Sequence, residues 1–376
     1  MRCNNIIGLM SGTSLDGLDI DFCRFESSGG TWKYEILQAE TAPYSREWRN
    51  RLQCIDKLSA SDLALTDCDL GHLMGTMTRA FIEKHRIATE FIASHGQTIF
   101  HQPHLKWTTQ IGKGAAIAAE TGLPVVCDFR SADVALGGQG APLVPIGDQL
   151  LFPEYRYCLN LGGFANISFN VAGKRMAFDI CPANLVLNTL ANQAEKAFDD
   201  NGDLARNGSL LPNLLESLNR LPYYHQPPPK SLGKEWVEQH IWPLMGDDQA
   251  DTRYEIRDTR YQIPDAGCRI PDRGSRIPDL LHTFCEHIAI QIGKNAGTNR
   301  VDKLLITGGG ALNQFLVERI RHHAKAEVVL PDLRTIQFKE ALIFAFLGLL
   351  RWRNEINILS SVTGAKKDSV GGAIYL

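Results

Sequence analysis

Residues 6–19, IIGLMSGTSLDGLD, decide the fold of this chain. An apolar run at 6–10 enters a turn of small polar residues, and a second apolar run at 18–22 leaves it. Two strand-like runs around such a turn predict a β-hairpin. Small turn residues let backbone N–H groups approach a ligand closely, and Asp16 and Asp19 supply carboxylates for a metal. The turn therefore suits a Mg-nucleotide, although an ordinary polar hairpin turn fits the same residues about equally well.

The composition indicates a globular protein that does not bind nucleic acid. A length of 376 residues permits about two to three domains. The charge is balanced, with 39 basic and 42 acidic residues giving −3, and no basic block stands out. The first apolar run is too short for a secretory signal, and the run at 341–350 is too short to span a bilayer. We therefore expect neither nucleic acid nor membrane as a partner.

The cysteines point to a reducing compartment. The chain has 9 of them, an odd number, and no two form a Cys-x-x-Cys pair. Several lie inside apolar runs, which is typical of buried, reduced thiols rather than of a disulfide framework or a zinc site. We expect a cytoplasmic protein.

Two polar clusters follow strand-like runs, where open α/β sheets place their ligands. The first, SHGQT at 94–98, contains His95 and Gln97, which suit hydrogen bonds to a sugar. A structural histidine is the alternative. The second, DFRSAD at 128–133, places Arg130 near Asp133 and leads into a glycine run at 137–140. It suits a polar binding site with a hinge, or a surface loop held by ion pairs.

A second glycine turn, NLGGFANIS at 160–168, repeats the layout of the first and suggests two related halves. A strand is predicted at 174–178, with Asp179 at its end before a Pro-broken turn. A carboxylate in that place suits a general base. It would equally cap a helix that starts at Pro182 or Ala183.

The rest of the chain contains a third glycine segment and an unusual repeat. A strand at 301–306 runs into Gly308, Gly309 and Gly310 and then a helix, a geometry typical of nucleotide sites. An apolar helix is predicted from Lys339 to Trp352, and residues 198–207 are predicted to form a solvated loop. Residues 252–279 repeat Arg-Ile-Pro-Asp, which predicts an extended surface insertion rather than a helix.

The order hairpin, hairpin, strand–GGG–helix looks like the actin, Hsp70 and sugar-kinase superfamily. That resemblance implies two actin-like (ribonuclease H-like) α/β domains flanking a nucleotide cleft. MSGTSLDGLD, SHGQT, DFRSAD, GGQGAPLVP, NLGGFANIS, TGGGALN, KEALIFA and SVTGA closely resemble the anhydro-N-acetylmuramic acid kinases, over residues 6–364. We expect one domain from 1–130 plus about 340–376, and a second from 131–339 that carries the insertion at about 252–279.

The resemblance implies a reaction and site residues. The family opens the 1,6-anhydro ring of anhydro-N-acetylmuramic acid with water and phosphorylates O6 from ATP, giving N-acetylmuramic acid 6-phosphate in peptidoglycan recycling. Asp179 matches its catalytic base. The motif matches imply that phosphates are held by Gly12, Thr13, Ser14, Leu15, Asp16, Gly17, Leu18 and Asp19, with Asp16 near Mg²⁺. They imply a second phosphate loop at Gly162 and Gly163, an adenosine loop at Gly308, Gly309 and Gly310, and a sugar site lined or supported by His95, Gln97, Arg130, Asp133 and Glu340.

One motif departs from the family. Where the family usually reads FDTGPxN, residues 178–184 read FDICPAN, so Thr-Gly has become Ile180-Cys181. Asn188 also stands where the family tends to have Asp. These changes leave two alternatives open: a kinase for a different anhydro- or amino sugar, or a catalytically silent relative that binds ATP and a ligand. A homodimer is compatible with the sequence, which is otherwise silent on oligomeric state.

Overall fold

A computed structural model describes residues 2–12, 15–245, 276–297 and 299–376. They form the mixed α/β fold that the sequence predicts. The strands are β1 (Arg2–Ser11), β2 (Gly17–Ser28), β3 (Thr31–Pro43), β4 (Phe91–Ser94), β5 (Gln97–Gln102), β6 (Trp107–Ile111), β7 (Val125–Cys127), β8 (Tyr157–Leu161), β9 (Phe164–Val171), β10 (Lys174–Pro182), β11 (Lys303–Thr307), β12 (Glu327–Val329) and β13 (Ala373–Tyr375). The helices are α1 (Arg46–Gln53), α2 (Ala60–His85), α3 (Gly114–Thr121), α4 (Ser131–Ala135), α5 (Pro145–Leu151), α6 (Asn184–Gln193), α7 (Asp203–Asn207), α8 (Pro212–Asn219), α9 (Lys234–His240), α10 (Ile277–Asn295), α11 (Gln314–His323), α12 (Leu333–Trp352) and α13 (Ser360–Thr363).

The described residues divide into two compact units. The first contains the chain up to Glu154, Ser168–Ala177 and Asp332–Leu376, and the second contains Tyr155–Ile167 and Phe178–Pro331. The sequence suggested bounds at 130 and about 340, so the first unit takes in more of the chain on both sides. The reason is that α5 packs against β3 and α12.

The first unit is built on a six-stranded sheet in the order β13-β7-β4-β1-β2-β3. The predicted hairpin is confirmed, since β1 and β2 pair antiparallel with Ser11 opposite Leu18. β4 pairs parallel with β1, and β7 pairs parallel with β4. α12 packs against β1, β2 and β4, and its residues from Ala341 to Leu350 are buried, as expected for a helix that is apolar on all sides.

The second unit is built on a five-stranded sheet in the order β10-β9-β8-β11-β12. β8, β9 and β10 are joined by two-residue connections, which fit antiparallel hairpins, whereas β11 is parallel to both β8 and β12. This order matches β3-β2-β1-β4-β7 of the first sheet strand for strand. The predicted relation between the two halves is therefore confirmed at the level of sheet topology. α10 packs against α6, α7, α8 and α11.

Two helix boundaries differ from the sequence prediction. α12 begins at Leu333 rather than at Lys339, because the Asp332 side chain caps it by accepting the Thr335 N–H at 3.1 Å. α10 begins at Ile277, so the last Arg-Ile-Pro-Asp copy forms its first turn, where a proline is tolerated. The predicted extended excursion is therefore wrong for residues 277–279, and residues 252–275 lie outside the described residues.

The prediction of a loop at 198–207 is also wrong, because residues 203–207 form α7, whereas most of these side chains are exposed as predicted. Asp199 is buried, and its carboxylate accepts the N–H groups of Leu204 at 2.8 Å and of Ala205 at 3.0 Å. These bonds fix the start of α7, and they explain why an aspartate-rich stretch forms a short helix. Among the helices that the structure describes, none is long and apolar enough to cross a membrane.

Asp21 is a buried carboxyl group in the core of the first unit. It lies opposite Gly8 in the β1–β2 ladder, where a Cβ on Gly8 would lie 2.4 Å from Asp21 Oδ1 and 2.2 Å from the Ala341 carbonyl oxygen. Cys23 Sγ donates to Asp21 Oδ2 at 3.2 Å, whereas Oδ1 is buried without a partner. Burial, with a contribution from nearby Asp19, raises the pKa of Asp21 well above its ordinary value.

We expect Asp21→Asn to flatten the pH dependence of stability. Since the pKa of Asp21 is higher in the folded than in the unfolded chain, its contribution is fully present below about pH 3.9 and is lost as pH rises toward the folded pKa. Each pH unit between the two pKa values is worth about 1.4 kcal/mol. Urea unfolding from pH 4 to pH 8 measures this, with the exposed Asp200→Asn as control. Equal pH dependence in wild type and Asp21→Asn would contradict the assignment.

Candidate functional site

The end of β1 is fixed by hydroxyl and amide contacts. Ser11 Oγ lies 2.8 Å from the Tyr44 hydroxyl oxygen. With its amide oriented so that the nitrogen faces β1, Gln97 donates to the carbonyl oxygens of Ser11 at 3.3 Å and Gly12 at 3.2 Å. Gln97 is buried, so in this structure it supports the first glycine turn from within the unit. Thr13 and Ser14 lie outside the described residues.

Three carboxylates gather beside this turn. Asp19 accepts a hydrogen bond from Thr41 Oγ1 at 2.6 Å. Burial raises the pKa of Asp19 to about 6, and the charges of Asp16 and Glu340 add to that rise. A cation bound here would relieve the mutual repulsion of Asp16, Asp19 and Glu340.

The donor set fits magnesium bound through few protein ligands. In the part of the chain that the structure describes, no group of three or more His, Cys, Asp or Glu side chains is arranged to hold a metal ion. Mg²⁺ at phosphate-transfer sites is typically held by one or two carboxylates together with water and substrate phosphates. Asp16 is exposed and can supply one such carboxylate. Asp19, which interacts electrostatically with Asp16, can supply the second.

His95 and Arg130 form a buried pair. His95 Nδ1 lies 2.8 Å from the Gly96 carbonyl oxygen, which can only accept, so Nδ1 carries the proton. The unprotonated Nε2 then accepts from Arg130 Nη2 at 2.8 Å, and Arg130 Nη1 donates to the Gly140 carbonyl at 2.6 Å. Burial and the Arg130 charge lower the pKa of His95 to about 3. Burial also lowers the pKa of Arg130 to about 10, against the opposing effect of Glu340.

We expect His95 to remain neutral, as the Nδ1–H tautomer, between pH 5 and pH 9. The reason is that a second proton on Nε2 would face the Arg130 guanidinium at 2.8 Å. Two-bond ¹H–¹⁵N correlation spectra of the imidazole nitrogens, assigned by comparison with His95→Gln, measure the tautomer. His95 signals that titrate between pH 6 and pH 7 would contradict this geometry.

Asp133 supports the glycine run and does not face solvent. It is fully buried and accepts the Gly140 N–H at 2.8 Å and the Thr363 hydroxyl at 2.8 Å. A Cβ on Gly138 would lie 2.2 Å from Asp133 Oδ2, so the glycine is required by close packing on this carboxylate. The geometry favours a supporting role for Asp133.

The glycine turn of the second unit is fixed at the start of α6. The Gly163 carbonyl accepts the N–H groups of Ala183 at 2.9 Å and Leu185 at 3.1 Å, and the Gly162 carbonyl accepts that of Asn184 at 3.1 Å. A Cβ built on either glycine would meet no atom closer than 3.5 Å. The bare faces of Gly162 and Gly163 are thus open for the close approach of a ligand.

The Gly308–Gly310 turn packs against the residues just before the Gly162–Gly163 turn and at the start of α6. Gly308 has φ +84°, and a Cβ there would lie 2.4 Å from Asn160 Oδ1. A Cβ on Gly310 would lie 2.7 Å from the Leu161 Cβ and 3.1 Å from Asn184 Oδ1. The structure therefore brings the predicted second phosphate loop and adenosine loop together, and the glycines at 308 and 310 are explained by packing inside the unit. Gly17 is explained in the same way, because its Cβ would lie 2.5 Å from the Ala42 carbonyl.

Asp179 lies inside β10, which continues to Pro182, rather than at a strand end. Its Oδ2 accepts the Leu232 N–H at 2.9 Å, and the α6 N-terminus has no side-chain cap, so the helix-cap alternative is wrong. Burial raises the pKa of Asp179, against the lowering effect of the Leu232 bond. A half-buried carboxylate with a raised pKa suits a general base.

The altered residues beside Asp179 belong to the core. Ile180 is 1% exposed and Cys181 is fully buried. Burial also raises the pKa of the Cys181 thiol, which therefore stays protonated. The Ile-Cys replacement thus changes the packing behind Asp179 and places no reactive group on its exposed side.

Several residues that contact the predicted site residues were not identified from the sequence. Asn160 and Asn184 stand inside the quoted motifs, so their proximity to glycines was a usable signal. Tyr44, Tyr223 and Leu232 carry no such signal, because they meet Ser11 or Asp179 only through the tertiary fold.

Comparison with known proteins defines the class. The family profile described as anhydro-N-acetylmuramic acid kinase matches residues 4–376. A protein named anhydro-N-acetylmuramic acid kinase from Sulfurovum sp. (strain NBC37-1) is 32% identical over 396 aligned residues, covering 100% of both chains. One of the same name from Francisella tularensis subsp. novicida (strain U112) is 32% identical, covering 98% of this chain and 97% of the relative. The chain belongs to the anhydro-N-acetylmuramic acid kinase family.

Similarity to solved structures is weaker. An activator of 2-hydroxyisocaproyl-CoA dehydratase from Clostridium difficile with bound ADPNP aligns with a TM-score of 0.43 and 13% identity, covering 91% of this chain and 92% of that one. A ROK family glucokinase from Streptomyces griseus aligns with a TM-score of 0.38 and 12% identity, covering 91% and 97%.

Proposed function

We propose that this protein is an ATP- and Mg²⁺-dependent kinase of anhydro-N-acetylmuramic acid that acts in the cytoplasm in peptidoglycan recycling. The observation that carries the proposal is Asp179: the family's base position holds a half-buried carboxylate with a raised pKa in a chain that belongs to the family throughout. The enzyme opens the 1,6-anhydro ring with water and gives N-acetylmuramic acid 6-phosphate and ADP.

The reaction needs a base on one side and phosphoryl transfer on the other. Asp179 takes a proton from water as the water oxygen bonds to the anomeric carbon and the bond from that carbon to O6 breaks. O6 then bonds to the γ-phosphorus, and the bond from that phosphorus to the β-bridging oxygen breaks, releasing ADP. The raised pKa of Asp179 strengthens the base relative to an exposed aspartate.

The other predicted residues take binding roles in this proposal. Asp16 would hold Mg²⁺, which when bound supplies positive charge to the phosphoryl oxygens. Residues 12–19, with Gly162 and Gly163, would bind the phosphates, and Gly308 to Gly310 would bind the adenosine. Arg130 and Glu340 would orient the sugar, with His95, Gln97 and Asp133 behind them, because these three are buried and engaged in hydrogen bonds within the first unit.

The test is ADP release with 1,6-anhydro-N-acetylmuramic acid, ATP and Mg²⁺, with mass analysis of the product. We expect sugar-dependent ADP formation and a product heavier than the substrate by one water and one phosphoryl group. Turnover only with another anhydro- or amino sugar would show that the protein is a kinase for that sugar instead. ATP binding without turnover on any of them would support a silent relative. The buried position of Ile180 and Cys181 favours the first outcome.

A further inference from the structure

The backbone around Asp179 is held by a segment far away in the sequence. Asp179 N–H donates to the Lys230 carbonyl at 3.2 Å, and the Leu232 N–H returns to Asp179 Oδ2 at 2.9 Å. The Tyr223 hydroxyl donates to the Asp179 carbonyl at 2.6 Å. The N–H, the carbonyl and one carboxylate oxygen of this residue are therefore each fixed by a different group.

These contacts leave one carboxylate oxygen for chemistry. Within the described part of the chain, Asp179 Oδ1 accepts no hydrogen bond, whereas Oδ2 is bound to Leu232. A base whose one oxygen is anchored presents the other in a defined direction, which is what an attacking water requires. Nothing in the family motifs assigns a role to residues 223–232.

We propose that Tyr223, Lys230 and Leu232 form a clasp that positions the Asp179 carboxylate and sets its proton affinity. They are positioning residues, since they act through Asp179. The inference rests on the proposed function, in which Asp179 is the base. An ordinary structural role for the same contacts would affect folding and leave kcat and the pH profile of turnover unchanged.

Lys230 joins the two parts of the clasp. Its Nζ donates to the Tyr223 carbonyl at 3.1 Å and lies 4.6 Å from the centre of the Tyr223 ring and 5.8 Å from that of Phe178. Such cation–π contacts stabilise a partly desolvated ammonium group. Lys230 thus fixes the position of Tyr223, whose hydroxyl donates to the Asp179 carbonyl.

The titration of Asp179 can be isolated from its neighbours. The ionisable groups that interact with it are Cys181 and Tyr223, and the Lys230 side chain lies next to them and interacts with Cys181. Burial raises the pKa of the Cys181 thiol and of the Tyr223 hydroxyl, so both stay neutral between pH 4 and pH 8. Burial lowers the pKa of Lys230, whose cation is fixed over the Tyr223 ring. A titration in the acid range therefore reports on the carboxyl group.

The decisive variant is Leu232→Pro, which removes the N–H that stabilises the ionised carboxylate. We expect the acid limb of kcat/KM for the sugar to move up by about one pH unit, because a hydrogen bond to a charged group is worth about that much. Leu232→Ala keeps the N–H and is expected to keep the limb in its wild-type position. A folded Leu232→Pro protein with an unshifted limb would overturn the proposal.

Tyr223→Phe decides the matter if the proline variant does not fold. Loss of the hydroxyl contact is expected to lower kcat about 5- to 10-fold with the KM for ATP unchanged, since one hydrogen bond that holds the Asp179 main chain is lost. An unchanged kcat would overturn the positioning role of Tyr223.

A carboxyl NMR titration keeps this test separate from the proposed function. ¹³C-aspartate spectra, with Asp179 assigned by Asp179→Asn, give its pKa with no substrate present. If wild type turns over no sugar, the proposed function fails while the expected pKa increase in Leu232→Pro still stands. If the enzyme is active and that pKa is unchanged, the clasp fails and the function stands.

Discussion

Asp179→Asn is expected to lower kcat for anhydro-N-acetylmuramic acid by about 10²- to 10⁴-fold, the usual contribution of a positioned general base. Asparagine keeps the size of the side chain and an acceptor for the Leu232 N–H, but it cannot take a proton from water. The KM for ATP is expected to stay near that of wild type, because the variant removes an interaction of the transition state only.

The pH dependence supplies an independent check on this variant. Because burial raises the pKa of Asp179, the wild-type rate should fall on the acid side at a higher pH than an exposed aspartate would give. The protonated form below that limb is inactive, so activity rises with pH. Steady-state kinetics from pH 4 to pH 8 measure both effects, with the exposed Asp200→Asn as the matched control. Asp179→Asn with near wild-type turnover would remove Asp179 from the role of base.

The parts of the fold that could be predicted from sequence are those encoded locally. Apolar runs around glycine turns predicted the hairpins β1–β2 and β8–β9, and both are present. The similar layout of the two glycine turns predicted two related halves, which the matching strand orders confirm. Gly122 occupies the C-cap of α3 with φ +67°, a left-handed conformation for which glycine is the usual residue.

The parts that failed depend on contacts that the residue pattern alone does not show. A proline repeat argued against helix at 277–279, yet Ile277 is buried and Pro278 occupies the first turn of α10. The sequence predicts that Asp199 is solvated. Its hydrogen bonds with the N–H groups of Leu204 and Ala205 could not be predicted, because they exist only once α7 has formed.

The candidate site shows the same division. Its motif residues could be named from the sequence, and the structure brings Gly162 and Gly163 together with Gly308–Gly310. The anchoring of Asp179 could not be named, since Tyr223 is 44 residues away and Leu232 is 53 residues away. Binding roles for individual residues stay predictions, with Asp133 and Gln97 placed by their burial behind the others.

A second large effect is expected from Lys339→Met, which breaks a buried ion cluster beside Glu340. Lys339 Nζ lies 2.7 Å from Asp148 Oδ1, and both side chains are 5% exposed. Ser168 Oγ donates to the other Asp148 oxygen and accepts from Arg175 Nη2 at 2.7 Å. Arg175 Nη2 also lies 3.8 Å from Asp148 Oδ2, a longer ion-pair contact than that of Lys339.

Removing the lysine leaves Asp148 buried with a weakened set of partners, and removing one member of a buried ion pair typically costs about 3–5 kcal/mol. We therefore expect the free energy of unfolding to fall by that amount in urea titrations at pH 7. The exposed pair of Arg206 and Glu318 offers a control, and Arg206→Met should change stability far less.

The double variant Asp148→Asn/Lys339→Met distinguishes a lost charge pair from a lost packing contact. If the charge pair is the cause, the losses of stability in the single variants Asp148→Asn and Lys339→Met should not add in the double variant, since the two side chains are in contact. If Lys339 matters through its stem and its contact with the Phe152 ring, 5.2 Å from Nζ, the two losses should add. The first result would show that a buried charge pair holds the helix that carries Glu340 in place.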